Sequence, residues 1–140
     1  TGYVYLHDTG NNFDGSAILA RYSTPDYDYG DLGTLKTLDY VKLAFTPEGD
    51  CQPSLRVRYN YDSLDTPQPA DIVLSEIPQP AIFGTAIFAS QKFGATEQPL
   101  VQQNLTGSGH SNFFKVFSND TKAPYSINGL YVNYRPSGRN

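Results

Sequence analysis

The clearest signal along the chain is alternation of apolar and polar positions with period two. From Leu130 onward, Leu130, Val132 and Tyr134 fall on one face and Tyr131, Asn133 and Arg135 on the other, as a half-buried β-strand requires. Lys36 to Phe45 repeats the pattern, with Val41, Leu43 and Phe45 against Tyr40, Lys42 and Ala44. Ser54 to Tyr61 does so again, with Leu55, Val57, Tyr59 and Tyr61 against Arg56, Arg58 and Asn60. The turn signal Pro47-Glu48-Gly49-Asp50 between these two predicts an antiparallel hairpin. Shorter strands are expected at Gly2 to Leu6, Ala17 to Tyr22 and Phe113 to Phe117. Ala81 to Ala89 is an apolar run broken by Gly84, with Pro99 to Leu105 as its candidate partner. Asp62 to Pro80 carries Pro67, Pro69, Pro78 and Pro80 and reads as a surface excursion, with a short strand at Ile72-Val73-Leu74.

No segment has helix-length amphipathicity, and prolines interrupt most windows where one would sit. Eleven Tyr, eight Phe, twelve Gly and ten Pro reinforce an all-β reading, since aromatic residues favour pleated surfaces while Gly and Pro punctuate them. About eight short strands, each with one apolar face, imply two packed antiparallel sheets. The expected fold is an antiparallel β-sandwich, jelly-roll-like, in a single domain spanning residues 1–140. A strand as well patterned as the last one is expected to be tied into a sheet rather than frayed.

Charge narrows the function. The net charge is -4 and only 17% of residues are charged, with Lys and Arg scattered singly or as Arg56-Val57-Arg58. Phosphate neutralisation needs clustered cations, so direct sequence-specific nucleic-acid binding is not expected. No apolar run is long enough to span a membrane. Cys51 is the single cysteine and has no internal disulfide partner. The chain starts at Thr1 without a signal-like segment, and is expected to be a piece excised from the C-terminus of a longer protein.

Candidate chemistry is thin. Asp8, Asn11, Asn12 and Asp14 bring oxygen donors to one loop, but the spacing is not that of an EF-hand and no closing Glu follows. An ordinary turn explains the same residues. Asp26, Asp28 and Asp31 form a second acidic group, a possible weak cation site or a charged edge that discourages strand pairing. Paired acids also serve glycosidases, though no further acid at motif-like spacing supports that use. Ser108, Ser111, His110 and Asp120 assemble into a Ser-His-Asp set only on paper, because no Gly-x-Ser-x-Gly elbow accompanies them. Acidic neighbours Glu48 and Asp50 disfavour a Cys51 thiolate. No catalytic residue, resident metal or cofactor is expected. Tyr22, Tyr27, Tyr29, Tyr40, Tyr59 and Tyr61 are candidate platforms for a sugar or a protein partner.

Three pieces of the chain, taken together, carry a family resemblance. They are Gly2-Tyr3-Val4-Tyr5-Leu6-His7-Asp8 with Gly10 and Asp14 to Ile18; Tyr27-Asp28-Tyr29-Gly30-Asp31; and Phe114-Lys115-Val116 with Pro124 to Leu130, ending Tyr134-Arg135-Pro136-Ser137-Gly138-Arg139. In that order they resemble the C-terminal region of tailed-bacteriophage tail proteins, the packaged-DNA stabilisation and tail tubular (head-to-tail stopper or nozzle) family of short-tailed phages. The resemblance covers Gly2 to Phe45 and Phe113 to Arg139. It departs at Tyr27 and Tyr29, where the family often has apolar residues, and at Asn133. It implies a large N-terminal part upstream, often a β-propeller, and a ring at the portal exit that retains DNA and forms the tail tube. The expected role is a non-enzymatic virion module made in the host cytoplasm, with copies of itself and other tail or portal proteins as partners. Tyr131, Arg135 and Arg139 are the expected interface residues. The alternative is a carbohydrate- or receptor-binding sandwich with a host-surface glycan as ligand.

Overall fold

A computed structural model describes residues 10–74, 77 and 100–139. The expected strands at Gly2 to Leu6 and Ala81 to Ala89 lie outside the described residues, as do His7 and Asp8. Among the described residues nine strands follow in order: β1 Asn12–Phe13, β2 Ser16–Ser23, β3 Thr34–Pro47, β4 Ser54–Tyr59, β5 Ile72–Val73, β6 Leu100–Asn104, β7 Ser108–Gly109, β8 Asn112–Asp120 and β9 Tyr125–Arg139. No helix occurs among the described residues. One sheet has the order β1-β2-β8-β4-β5, and in the other β3 pairs with β6, β7 and β9. The described pairings are antiparallel, so the fold is an all-β antiparallel sandwich.

The expected hairpin is not formed. β3 and β4 belong to different sheets, and the Pro47 to Asp50 turn carries the chain across the core. Period-two alternation records that one face of each strand is buried, not which sheet the strand joins. β6 pairs with β3, with Asn104 opposite Tyr40 and Leu100 opposite Ala44; its expected partner Ala81 to Ala89 lies outside the described residues.

The core forms where the inner faces meet. Leu38, Val41, Leu43 and Phe45 from β3 join Leu55, Val57 and Tyr59 from β4 and Phe114 and Val116 from β8. Leu130, Val132 and Tyr134 of β9 pack against them as expected. The buried positions of β3 change phase between Leu38 and Val41, which are three residues apart. Opposite β9, Leu38 pairs with Tyr134 and Tyr40 with Asn133, leaving Asp39 as the extra residue of a β-bulge. A bulge restores the register of side chains after an odd step. Arg135 clamps it: its Nε and Nη2 donate to the Asp39 carboxylate at 2.7–3.0 Å.

Tyr59 shows how tightly this core closes. Its ring is fully buried and its hydroxyl donates to Thr106 O at 2.9 Å. A Cβ on Gly109 would lie 2.8 Å from Tyr59 Cδ1 and 3.0 Å from Ser111 O. Only glycine lets β7 approach this closely. We therefore expect Gly109→Ala to destabilise the protein by about 1–3 kcal/mol through overpacking. A urea melt checks this, and an unchanged midpoint would refute the clamp on Tyr59.

Candidate functional site

Backbone strain and unpaired polar groups converge at one end of the sandwich. β4 ends in three consecutive left-handed residues, Asn60 (φ 52°), Tyr61 (φ 57°) and Asp62 (φ 58°). This conformation disfavours L-residues by roughly 1–2 kcal/mol each, with Asn and Asp partly excepted. Neighbours hold the turn in place. Asn60 N donates to Ser111 O at 3.0 Å, His110 N donates to Asn60 Oδ1 at 2.8 Å, and Asn60 Nδ2 donates to Thr66 Oγ1 at 2.9 Å. Gln68 bonds both Tyr59 N and Tyr59 O like a short strand, at 2.9 and 3.0 Å. Arg58 Nε lies 3.2 Å from Asp62 Oδ1.

Across from the turn runs the segment that Thr24 and Tyr27 dock onto β8. Thr24 N donates to Phe114 O at 2.9 Å, while Tyr27 and Asn112 exchange backbone hydrogen bonds at 2.7 and 3.1 Å. This places Asp26 beside the strained turn, with its carboxylate facing the Tyr61 N–H. Ser111 is fully buried and its hydroxyl lies toward the same carboxylate. Even so, Asp26 Oδ1 and Ser111 Oγ have no partner that meets hydrogen-bond geometry. Nor do His110 Nδ1 and Asn112 Nδ2, so the four buried, unpaired side-chain atoms of the described residues fall on Asp26 and residues 110–112. Buried polar groups are nearly always satisfied in native proteins. Burial, then repulsion from Asp62, pushes the Asp26 carboxyl above its ordinary value, against the opposing pull of the Tyr61 and Ser111 contacts.

The other expected acids are used differently. From Asp28 the chain turns at Tyr29 and Gly30, both at positive φ. Asp28 Oδ1 accepts from Gly30 N at 2.9 Å, and Asp31 accepts from Gly33 N at 2.9 Å and Thr34 Oγ1 at 2.6 Å. Each closes a local turn. The buried Lys36 caps the same connection, with Nζ donating to Asp31 O and to His110 O. Asn12 Oδ1 accepts from Gly15 N at 2.8 Å, an ordinary turn. Among the described residues no three His, Cys, Asp or Glu side chains converge on a point.

The Ser-His-Asp set does not assemble. Asp120 sits at the far end of β8, roughly 26 Å of strand from Asn112 at 3.3 Å per residue, and Ser108 Oγ is bonded to Thr37 Oγ1 at 2.7 Å. Cys51 is buried, and desolvation together with Asp120 and Asp50 pushes its thiol up to about 11. It is no nucleophile at neutral pH.

The tyrosines divide. Tyr59 is core, which removes it as a platform. Tyr29 is half-buried, stacked at 4.2 Å on Tyr134 with its hydroxyl donating to Asn112 Oδ1 at 3.0 Å, and Tyr40 is half-buried under Lys42 Nζ. Tyr22, Tyr27 and Tyr61 are exposed. Among the expected interface residues, Tyr131 is exposed on β9, Arg135 is engaged with Asp39, and Arg139 lies opposite Thr34. A second concave feature lies between the sheets, a cleft of about 520 Å³ lined by Ile18, Ala20 and Tyr22 of β2 and by Tyr125, Ile127 and Leu130 of β9.

Comparison of the chain with family models, with curated proteins and with solved structures finds no match.

The Asp26 environment sets a sign for pH dependence. An acid whose pKa is higher folded than unfolded costs stability when ionised. That cost is absent below the unfolded value and is complete above the folded one. In metal-free buffer Asp26→Asn is therefore expected to stabilise the protein at pH 7, by less than about 1 kcal/mol because solvent screens a partly exposed carboxylate. The gain should vanish as pH falls below the ordinary Asp range. Paired urea melts at pH 7 and pH 3.5 test it, and a destabilised variant at pH 7 would overturn it.

Proposed function

We propose that this chain is a non-enzymatic structural module of a bacteriophage tail or neck protein, located in the virion and contacting copies of itself or other tail and portal proteins. The resemblance at both ends of the chain supports this reading. The observation that carries it is the exposure of strand β2. All eight of its residues are exposed, including Ile18, Leu19 and Tyr22, and its inner face lines the cleft toward β9. Apolar exposure of this kind is typical of surfaces that meet another protein. Tyr131 on the outward face of β9 adds an aromatic anchor of the sort enriched at interfaces. The neighbouring Arg135, held by Asp39, is pre-organised rather than free. Negative-stain imaging of virions labelled with antibody to this domain should show density at the tail or neck. Labelling of the capsid, or of no virion part, would refute the proposal.

A second reading has its own observation. The strained turn presents Tyr61 outward with 65% of its surface exposed, next to the Asp26 carboxylate and the exposed Tyr27. Aromatic faces beside hydrogen-bonding groups suit a host-surface glycan. On this reading a glycan array gives saturable, sugar-competed binding that Tyr61→Ala abolishes. An array without signal removes it.

A further inference from the structure

The outer face of the larger sheet gathers cations that are scattered along the sequence. Leu55 and Val57 of β4 and Phe114 and Val116 of β8 point into the core, so Arg56, Lys115 and Phe117 project to the opposite face. Register sets their neighbours. Lys115 stands directly opposite Arg56 of β4 on one side and Ser23 of β2 on the other, and Arg21 of β2 stands opposite Phe117. Directly opposed residues lie about 5 Å apart at Cβ and diagonal ones about 7–8 Å. Arg21, Lys115 and Arg56 therefore surround one short stretch of β8. Together with Leu19 and Phe117 they line a shallow dent of about 80 Å³.

This face has the opposite sign to the molecule as a whole. The chain carries a net charge of -4, yet only two acids among the described residues form ion pairs with the cations here. Arg56 donates from Nε and Nη2 to the two oxygens of Asp71 at 2.7 and 2.6 Å. The adjacent Arg58 shares Asp71 at 3.4 Å and takes Asp62 at 3.2 Å. Arg21 and Lys115 have no ion-pair partner among the described residues. Like charges directly across a sheet are destabilising, and Lys115 against Arg56 is such a pair. An anion seated between them turns that repulsion into attraction.

Arg56 is the fixed member of the three. Asp71 grips one side of its guanidinium, which also lies 5.3 Å from the centre of the Phe117 ring. Its Nη1 is left out of the Asp71 pair. A carboxylate is satisfied by one such fork, as Asp71 is. Three cations around one dent suit a group with more charge and more acceptor oxygens, which is the chemistry of phosphate and sulfate. Leu19, 52% exposed, adds an apolar rim beside Phe117.

We propose that the dent between β2, β8 and β4 binds a tetrahedral oxyanion of the phosphate class, free or as the end group of a monoester, through Arg21, Arg56 and Lys115. The site lies on the other face of β2 from Ile18, Ala20 and Tyr22, which line the cleft. It leaves that contact surface untouched and does not rest on the virion role.

Titration of the isotope-labelled chain, read by NMR at its backbone amides, tests the site. Inorganic phosphate should give saturable shifts centred on Arg21, Arg56, Lys115 and Phe117 that sodium chloride at matched ionic strength does not give. Phenyl phosphate separates the two sources. Tighter binding than inorganic phosphate assigns the site to an ester resting on Leu19 and Phe117, and equal or weaker binding assigns it to the free ion. Arg21→Gln and Lys115→Gln each remove one charge from an exposed face and should weaken phosphate binding about two- to fivefold. Lys115→Arg keeps the charge and should retain binding. Lys42→Gln removes a cation from β3 in the other sheet and should bind as wild type. Circular dichroism checks that each variant is folded. Shifts no larger than those of the sodium chloride control overturn the site. So does binding that Arg21→Gln and Lys115→Gln leave unchanged, or that Lys42→Gln weakens as much as they do.

Discussion

The sandwich depends on one residue out of step. β3 is the strand that holds its sheet together, with β9 along one edge and β6 and β7 along the other. Its apolar residues do not keep a single phase, since Leu38 and Val41 are separated by an odd step. A regular strand would bury one set and expose the other. The bulge at Asp39 lets both sets face the core, at the cost of one unpaired residue in the β3–β9 ladder. That residue is not left idle: Asp39 O accepts from Leu105 N at 2.9 Å on the β6 side, and its carboxylate is held by Arg135 on the β9 side. The bulge is thus fixed from both edges.

Consequences run along β3 to both ends. Toward Phe45 the phase set after the bulge buries Val41, Leu43 and Phe45, with Phe45 meeting Tyr125 edge-on at 5.6 Å. Toward Thr34 the earlier phase buries Lys36, whose ammonium reaches Asp31 O and His110 O. A buried lysine is tolerated only when its donors are met, and here they join the β2–β3 connection to the residues just before β8. The strained turn, Asp26 and Ser111 are therefore mounted on a frame that the bulge orients.

Much of this frame was legible in the sequence, and the missing parts are missing for identifiable reasons. β4 follows its alternation closely, and Leu130, Val132 and Tyr134 of β9 face the core as their spacing requires. Leu38 was not legible as core, because period two starting from Val41 assigns it to the outer face. The hairpin expectation failed because Pro47 to Asp50 reads as a turn whichever sheet the next strand joins. The candidate site was harder still. Nothing in Asn60-Tyr61-Asp62 signals three left-handed residues, since tyrosine is a poor occupant of that region. Asp26 groups in sequence with Asp28 and Asp31, and the turn at Tyr29 and Gly30 separates Asp31 from the other two. Its real neighbours, Tyr61, Asp62 and Ser111, are remote in sequence and are brought together by the docking of Tyr27 on Asn112.

The two ends of the molecule thus carry different physics. Around Phe45 and Tyr125 the chain is held by apolar burial, and the cleft beside β2 is lined by further apolar side chains. Around Tyr59 and Asp26 it is held by hydrogen bonds that oblige the backbone to adopt a costly turn. Local consistency between propensity and structure is the rule in natural sequences, and violations gather where something other than folding is selected. Tyr61 violates it by conformation, and Ser111 and Asn112 by burying polar groups without partners, within a few residues of one another in space. Apolar contact at β2 needs no such concession. The coincidence of strain with unpaired oxygens at Asp26 is therefore the better marker of a selective site, whereas the exposed face of β2 marks a place of contact.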